Sequence, residues 1–312
     1  KDENSIVDTK LSRFEVYDGL LPKRKDGVNA WISIMRGCDK FCTFCIVPFT
    51  RGRERSRSLN SIIEEANQAV KDGFKEITLL GQNVNSYSYD QYQFHNLLET
   101  VAQVPGVERI RYTSPHPEDI TIELLEVMKN YSNICNYIHL PLQAGSDRIL
   151  RRMHRSYSKN DFLVLAQKIR ETLPDVGIST DIIVGFPGET EKDFMETISV
   201  MRKIRFDSAF HFKYSPRIGT KASEYEDQIS EDIKQRRLEL IIDLQKEHTL
   251  YRNKQLIGSS QIILVEKESK MSKDQWAGRT DSNKWVIFNK ENKNINDLVK
   301  VIIKDAKGIT LY

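Results

Sequence analysis

In the stretch Trp31-Ile32-Ser33-Ile34-Met35-Arg36-Gly37-Cys38-Asp39-Lys40-Phe41-Cys42-Thr43-Phe44-Cys45, an apolar run typical of a β-strand leads into a loop with three of the chain's four cysteines. Their spacing, C-x3-C-x2-C, brings three thiolates close together. Soft sulfur ligands select zinc or iron–sulfur clusters. A structural zinc site is closed by four ligands, whereas three cysteines on a four-iron cluster leave one iron open. The count therefore favours a four-iron cluster with one exchangeable position.

Composition restricts the possible classes of protein. The chain has 312 residues, 29% charged and 39% hydrophobic, as in ordinary globular proteins. It has no apolar run of the roughly 20 residues needed to span a bilayer and no apolar signal core near its first residue. Clustered cysteines without such a signal predict a reducing, cytoplasmic location and no membrane partner. Cys135 lies in an apolar run, which favours a buried small side chain over a fourth metal ligand.

Short β-type runs alternate with helical periodicity up to about residue 254, which predicts parallel βα units. The predicted strands are 31–35, 77–80, 109–113, 137–140, 178–184 and 209–214. Asn160 is predicted to cap a helix over 160–172, and Thr190 with Asp193 resembles a capping box. Six units are too few for a closed eight-stranded barrel. We therefore predict an α/β fold, a partial (βα)6 barrel.

The pattern changes after about residue 254. Short strands at 262–265, 285–288 and 298–303, separated by turn residues, predict a small all-β barrel. We therefore expect residues 1–24 to be a linker or the remnant of an upstream domain, 25–251 to form the partial barrel, and 252–312 to form the β-barrel.

Unusual sequence follows each predicted barrel strand. Functional groups of parallel βα folds collect beyond the carboxyl ends of their strands. The tails are the cysteine loop, 81–85, 114–117, 141–146, 185–190 and 215–217. We expect all six to face one cavity beside the cluster. Each tail alone is also consistent with an ordinary turn, and His116, His139 and His211 are also consistent with structural, hydrogen-bonded roles.

Arginine is concentrated in 51–57 and in 148–155. Alternate positions of an extended segment lie on one side, and guanidinium groups suit phosphate. We therefore expect salt-dependent RNA binding near the cluster, although a solvated basic face would give the same pattern. Lysines and arginines on the predicted β-barrel extend the basic character.

Together these motifs resemble the MiaB-type methylthiotransferases of the radical S-adenosylmethionine (SAM) superfamily. The resemblance rests on the cysteine loop and on segments 47–52, 79–85, 113–117, 139–147 and 180–190. Segment 278–284 resembles the TRAM domain, an RNA-binding barrel. The resemblance implies a partial radical SAM barrel followed by a TRAM barrel.

The resemblance also implies site residues. Cys38, Cys42 and Cys45 would bind a SAM-cleaving [4Fe-4S] cluster. The implied SAM contacts are Phe44, Gly81, Gln82, Asn83, Gln143, Ser146, Asp181, Val184 and Gly185. The predicted RNA contacts are Arg51, Arg53, Arg55, Arg57, Lys273, Arg279 and Lys284.

The implied activity is methylthiolation of carbon 2 of N6-isopentenyladenosine next to the tRNA anticodon. A 5′-deoxyadenosyl radical from SAM would abstract hydrogen, and a second SAM would donate the methyl group. The implied partners are the tRNA anticodon stem-loop, an electron donor and a sulfur donor. Two alternatives are methylthiolation of a ribosomal protein aspartate and a non-catalytic RNA-binding module whose cysteines hold zinc.

The sequence departs from this family in one respect. The family carries an upstream domain whose three further cysteines hold a second [4Fe-4S] cluster, and the only cysteine here outside the loop is Cys135. We therefore expect a form without that domain, which binds a cluster and SAM but does not complete sulfur insertion.

Overall fold

Six parallel strands form the larger body of the computed structural model, which describes residues 16, 18–19, 21–24 and 27–312. The strands are β1 (Asn29–Ser33), β2 (Glu76–Leu80), β3 (Arg109–Tyr112), β4 (Tyr137–His139), β5 (Gly177–Val184) and β6 (Ser208–Lys213). Strands β1, β2 and β3 pair in parallel, as do β4, β5 and β6, and a bridge between Ile110 and Ile134 joins the two halves. The predicted partial (βα)6 barrel is confirmed. Most of the predicted linker, 1–24, lies outside the described residues.

Eight helices of the described chain connect or follow these strands. They are α1 (Val47–Arg51), α2 (Leu59–Lys71), α3 (Phe94–Ala102), α4 (Ile122–Asn130), α5 (Asp147–Arg152), α6 (Lys159–Thr172), α7 (Glu191–Ile204) and α8 (Glu231–Lys254). Short 3-10 turns lie at Val84–Ser86, Pro117–Asp119 and Lys221–Glu224. Two-residue strands pair Met35–Arg36 with Arg55–Ser56, and Ser88–Tyr89 with Tyr92–Gln93. None of the described helices has the length and apolar character needed to cross a membrane.

Two helix starts test the predicted caps. The capping box of Thr190 and Asp193 at α7 is confirmed. The predicted cap Asn160 is wrong, because α6 begins earlier, at Lys159, with Ser158 as N-cap. Ser158 and Asp161 each accept a hydrogen bond from the other's backbone N–H group, and this box satisfies two donors that a cap at Asn160 would leave free.

A contact between aromatic rings supports the same helix start. The ring of Tyr157, the residue before the cap, lies 5.8 Å from the ring of Phe162, the fourth residue of α6. This contact is a hydrophobic staple, which fixes the direction in which the chain enters the helix.

Alternation along the barrel strands separates the core from the lumen. Ile32, Ile77, Ile110, Ile138 and Ile182 are fully buried on the side that packs against the helices. Because successive side chains of a strand point to opposite faces, the residues between them face the inside of the barrel. These include polar and aromatic side chains. The lumen therefore has a polar and aromatic lining, and the apolar core lies outside it, between the strands and the helices.

A second, smaller core belongs to the C-terminal body. Its strands are β7 (Ser260–Glu268), β8 (Gln275–Arg279), β9 (Trp285–Asn289), β10 (Leu298–Ile302), β11 (Ala306–Lys307) and β12 (Thr310–Leu311). They form one sheet in the order β10-β7-β8-β9-β12-β11 around Ile263, Val265, Val286 and Leu311. The predicted all-β body is confirmed. The domain bounds at 251 and 252 stay a prediction, and α8 runs through them to Lys254.

Buried ion pairs join the two bodies at the floor of the partial barrel. Glu76 is fully buried and accepts from Arg111 Nε at 2.9 Å and from Arg279 Nη2 at 3.3 Å. Arg111 also donates to the carbonyl of Thr280 at 2.7 Å and to that of Asp281 at 3.0 Å. The C-terminal body is therefore held against the start of β2 and β3 by a buried carboxylate and the two guanidinium groups that bond it.

Candidate active site

The cysteine loop leaves β1 and is closed on itself by backbone hydrogen bonds. Cys38 N donates to Gly52 O at 3.2 Å, and Cys45 N donates to Cys42 O at 2.9 Å. Gly37 starts the loop at φ +82°, and a β-carbon there would lie 2.0 Å from the Arg53 carbonyl oxygen. Only glycine fits this position, so the sequence Gly-Cys brings the two ends of the loop together.

The three thiols of the loop are partly buried and lie within electrostatic range of one another. Burial raises the pKa of Cys38 to about 11, and the charges of Glu54, Cys42 and Cys45 add to the rise. Burial likewise raises the pKa of Cys45. The thiolates therefore need a positively charged group, such as a metal centre, to hold them in the ionised form.

A single metal ion and a four-iron cluster require different spacings of the three thiols. In the described part of the chain, no three His, Cys, Asp or Glu side chains converge closely enough to hold one metal ion. Thiolates on one zinc ion stand roughly 3.8 Å apart, from a Zn–S bond of about 2.3 Å in tetrahedral geometry. On a four-iron cluster each thiolate binds a different iron, so three partly exposed thiols on one loop can stand farther apart.

The tail of β2 lies against the cysteine loop. Gln82 Oε1 accepts from Gly37 N at 2.6 Å, and Asn83 Nδ2 donates to Glu54 at 3.2 Å and to Asp119 at 2.9 Å. The Asn83 Oδ1 atom is buried without a partner. A β-carbon on Gly81 would lie 2.6 Å from the Met35 side chain. The predicted segment 81–83 is thus brought together with the loop.

The tail of β5 reaches the same loop through aromatic rings. The ring of Phe44 meets the ring of Phe186 edge-on, with centroids 6.5 Å apart. Next to Phe186, Gly185 has φ +68°, and a β-carbon there would lie 2.3 Å from Lys234 Cγ. Val184 is fully buried, and its carbonyl accepts from Tyr214 N at 2.9 Å.

The two predicted contacts in the tail of β4 are buried and hydrogen-bonded. Gln143 has φ +66°, and its backbone bonds to Asp181 and Ile183 of β5. The Ser146 hydroxyl donates to Asp193 Oδ1 at 2.6 Å, and Ser146 is 2% exposed. Ser146 therefore holds α5 against α7, and its hydroxyl is already used.

Asp193 is the centre of that contact between helices. Burial opposes ionisation of its carboxyl, but hydrogen bonds from Arg148, Ser146 and Thr190 outweigh burial and lower the pKa of Asp193 below its ordinary value. The carboxylate is therefore charged at all but strongly acidic pH, and its charge fixes the start of α7.

A cavity of about 320 Å³ lies inside the barrel. The aromatic side chains of Trp31 and Phe210 on its wall are 54% and 57% exposed. Asp181 Oδ2 lies 3.3 Å from His139 Nε2, and the ring of His139 lies 5.9 Å from that of Phe210. Arg279 of the C-terminal body also lines the cavity. The cavity therefore offers two apolar rings for stacking and polar groups for hydrogen bonding.

Sequence reasoning missed most residues of this lumen. Trp31, Thr78, Arg111, Tyr137 and Phe210 line the cavity but were not among the predicted site residues. The sequence did contain a signal for these residues. A parallel strand that is covered on both faces is usually a continuous apolar run. These strands instead place polar or aromatic residues among the apolar ones.

Two of the three histidines near the strand ends are neutral at physiological pH. Burial, with the nearby charges of Arg155 and Lys40, lowers the pKa of His116 to about 2. Burial lowers the pKa of His211 to about 4. Both are therefore uncharged groups in the folded protein at neutral pH.

The predicted RNA contacts divide into exposed and buried groups. Arg51, Arg53 and Lys273 are exposed, with Arg53 paired to Asp39 at 2.6 Å, and Arg55 is half-buried. The remaining three are paired with carboxylates inside the protein. Arg57 bonds Glu65 at 2.6 Å, Arg279 bonds Glu266 at 2.6 Å, and Lys284 bonds Asp207 at 2.7 Å.

Sequence profiles of two known families match the chain, one over each body. The chain matches the sequence profile of the radical SAM superfamily over residues 32–201 and that of the TRAM domain over residues 254–312. Among solved structures, a radical S-adenosylmethionine methyltransferase from Kitasatospora setae superposes with a TM-score of 0.53 at 16% identity, covering 69% of this chain and 43% of that one. Methylornithine synthase gives 0.51 at 15% identity, covering 71% and 62%. At these identities the likeness shows the fold.

Several curated proteins have a much higher sequence identity to this chain than the solved structures do. The tRNA-2-methylthio-N(6)-dimethylallyladenosine synthase of Carboxydothermus hydrogenoformans is 47% identical over 97% of this chain and 69% of its own length. The synthases of Acetivibrio thermocellus and Porphyromonas gingivalis are 44% and 46% identical, over 99% and 98% of this chain and 65% and 68% of theirs. The chain thus spans about two thirds of the length of these relatives.

Proposed function

Because the chain belongs to the tRNA-2-methylthio-N(6)-dimethylallyladenosine synthase family of the radical SAM superfamily, we propose that it takes part in methylthiolation of carbon 2 of N6-isopentenyladenosine next to the tRNA anticodon. The observation that carries the proposal is that the cysteine loop contacts both the β2 tail and the β5 tail. These segments follow the carboxyl ends of strands whose inward faces line the cavity. A reacting base and a cleaved cofactor need this proximity.

The superfamily's cofactors are a [4Fe-4S] cluster and SAM. We assign the cluster to Cys38, Cys42 and Cys45, the three partly buried thiols of one loop, and one side of SAM to Phe44 and the backbone of 81–83, with 184–185 beside them. When bound, these cofactors supply a 5′-deoxyadenosyl radical, formed when one electron breaks the sulfur–C5′ bond of SAM and releases methionine. The chain's own residues orient the reactants within the lumen.

The lumen is the proposed site of the adenine base. Trp31 and Phe210 present exposed rings on which a base can stack. His139 and Asp181 present a ring nitrogen and a carboxylate oxygen that can bond base edges. A cavity of about 320 Å³ is of the size that holds a small molecule.

RNA binding is proposed for the exposed cations. We keep Arg51, Arg53 and Lys273 in the proposed RNA surface, and Arg55 beside them. We leave Arg57, Arg279 and Lys284 out, because the buried carboxylates of Glu65, Glu76 and Asp207 already pair with their charges. Phosphate contacts from the exposed group would position the stem-loop without reading its sequence.

The remaining partners follow from the reaction. We propose a one-electron donor for the cluster and a sulfur donor for the product, and a second SAM as the source of the methyl group. We also propose a cytoplasmic location, because tRNA and a reducing environment for the thiolates are both found there.

Hydrogen abstraction can be tested separately from sulfur insertion. The protein is reconstituted anaerobically with iron and sulfide, and given SAM, dithionite and an anticodon stem-loop with deuterium on carbon 2 of its isopentenyladenosine. We expect deuterium in the 5′-deoxyadenosine product, measured by mass spectrometry. Unlabelled 5′-deoxyadenosine with intact substrate label would refute the proposed position of attack.

Two cysteine variants provide the matched comparison. Cys42→Ala removes one loop thiol and should abolish SAM cleavage while RNA binding persists. Cys135→Ala removes a buried thiol outside the loop and should keep cleavage. Equal cleavage by both variants would contradict the assignment of the cluster to the loop. A colourless, zinc-loaded protein that cleaves no SAM would contradict the enzymatic proposal as a whole.

A further inference from the structure

Arg155 is a buried cation beside the cysteine loop. It is 8% exposed, and its Nη1 donates to Cys42 Sγ at 3.4 Å. It lies in the segment after α5, at the end of the arginine-rich stretch 148–155 for which the sequence predicted RNA binding. A buried charge is costly unless it is paired, so this position calls for an anion close by.

Among the described residues, groups other than carboxylates hold the Arg155 guanidinium in place by hydrogen bonds. Nη2 donates to the Pro141 carbonyl at 3.1 Å, and Nε donates to the Tyr157 hydroxyl at 2.9 Å. Tyr157 in turn donates to the Pro141 carbonyl at 2.8 Å. The acidic groups that Arg155 contacts, within the part of the chain that the structure describes, are the Tyr157 hydroxyl and the Cys42 thiol.

The same segment is attached to the cysteine loop at three further points. Thr43 N donates to the Met153 carbonyl at 3.1 Å, and Thr43 Oγ1 donates to the Arg152 carbonyl at 3.0 Å. His154 Nδ1 lies 3.2 Å from the Phe41 carbonyl. The loop and the segment therefore keep a fixed distance, and so do Cys42 and Arg155.

We infer that Arg155 is a positioning residue that acts as the fixed countercharge of the iron–sulfur cluster, holding the Cys42 thiolate and raising the cluster's reduction potential. The inference rests on the proposed function, because it assumes a cluster on the loop. Gain of one electron makes the cluster more negative, and a nearby positive charge favours the more negative state. The cation thus makes the cluster easier to reduce.

The size of the effect follows from the distance. A unit charge about 4 Å away, at an effective dielectric constant of about 20, changes an equilibrium constant by more than tenfold. A tenfold change in the one-electron equilibrium corresponds to about 59 mV. We therefore expect loss of the Arg155 charge to lower the ratio of reduced to oxidised cluster at least tenfold at a fixed electrode potential.

The test is a redox titration of the reconstituted 312-residue chain, followed by electron paramagnetic resonance of the reduced cluster and by iron analysis. Arg155→Gln should show the tenfold loss, whereas Arg155→Lys, which keeps the charge, should stay near the parent. Tyr157→Phe, which frees the guanidinium from one bond, should lie between them. Arg236→Gln removes an exposed charge on α8 and serves as the control.

Each outcome decides the inference. If Arg155→Gln cannot retain iron but Arg155→Lys can, the charge is required to hold the cluster, as inferred. Equal potentials in the Gln and Lys variants would overturn the inference, and so would loss of iron from both, since shape and not charge would then matter. If the parent chain itself takes up no four-iron cluster, the result contradicts the proposed function as well as the role of Arg155.

Discussion

Replacing Arg111 by methionine should detach the C-terminal body from the barrel floor. Methionine keeps much of the apolar stem but removes the guanidinium that bonds Glu76, Thr280 and Asp281. Glu76 is fully buried, so its carboxylate would keep only the longer bond to Arg279. Breaking a buried ion pair by removing one partner costs about 3–5 kcal/mol, and about 1.4 kcal/mol is tenfold in a folding equilibrium.

Urea unfolding measures this loss. Two of the three tryptophans, Trp276 and Trp285, lie in the C-terminal body, so their fluorescence reports its unfolding. Arg236→Met is the matched control, because the ion pair of Arg236 with Glu191 is exposed on both sides and contributes at most about 1 kcal/mol.

A double variant separates the loss of the Glu76–Arg111 ion pair from the change in side-chain shape at position 111. Adding Glu76→Gln to Arg111→Met removes the buried carboxylate that lost its partner, so the double variant should be less destabilised than the sum of the single variants. If Arg111→Met unfolds within about 1 kcal/mol of the parent, water must reach the barrel floor and the reasoning is wrong.

Three further predictions follow from the site and its surface. Gly37→Ala should lower the iron content of the reconstituted protein because its β-carbon would strike a carbonyl, whereas Gly219→Ala, with the same sign of φ but its nearest contact at 4.0 Å, should not. The pKa of Asp193 is lowered, so its contribution to stability is complete above the ordinary pKa of 3.8 and disappears as pH falls through the folded pKa. Unfolding free energies measured from neutral to acidic pH should therefore fall more steeply in the parent than in Asp193→Asn, and equal slopes would contradict this. Lys273→Ala should reduce the slope of log affinity for a stem-loop against log salt by about 1, and Lys246→Ala, on α8, should leave it unchanged.

The sequence was most informative where local chemistry is strict. The alternation of β-type runs and helices predicted all six barrel strands to within two residues at each end. The capping box at Thr190 was also predicted, because its pattern depends on residues that are close together in the chain. Asn160 failed because two neighbouring capping patterns competed, and the reciprocal one at Ser158 won.

Pairing between distant residues was not predictable. Arg57 and Lys284 look like surface cations in the sequence, but they bond Glu65 and Asp207 in the interior. No spacing rule links Lys284 to Asp207, since they come from different bodies. Arg155 was grouped with its neighbouring arginines for the same reason, and only the fold separates its buried guanidinium from theirs.

The shared wall of the lumen has a consequence for how such proteins can be recombined. Arg279 and Asn283, which belong to the C-terminal body, line the same cavity as His139 and Asp181 of the barrel. A chimera that grafts the C-terminal body of one homologue onto the barrel of another would therefore exchange part of the cavity lining along with it. We therefore expect a graft to remain competent when it keeps the contacts of Glu76 with Arg111 and Arg279, which join the two bodies.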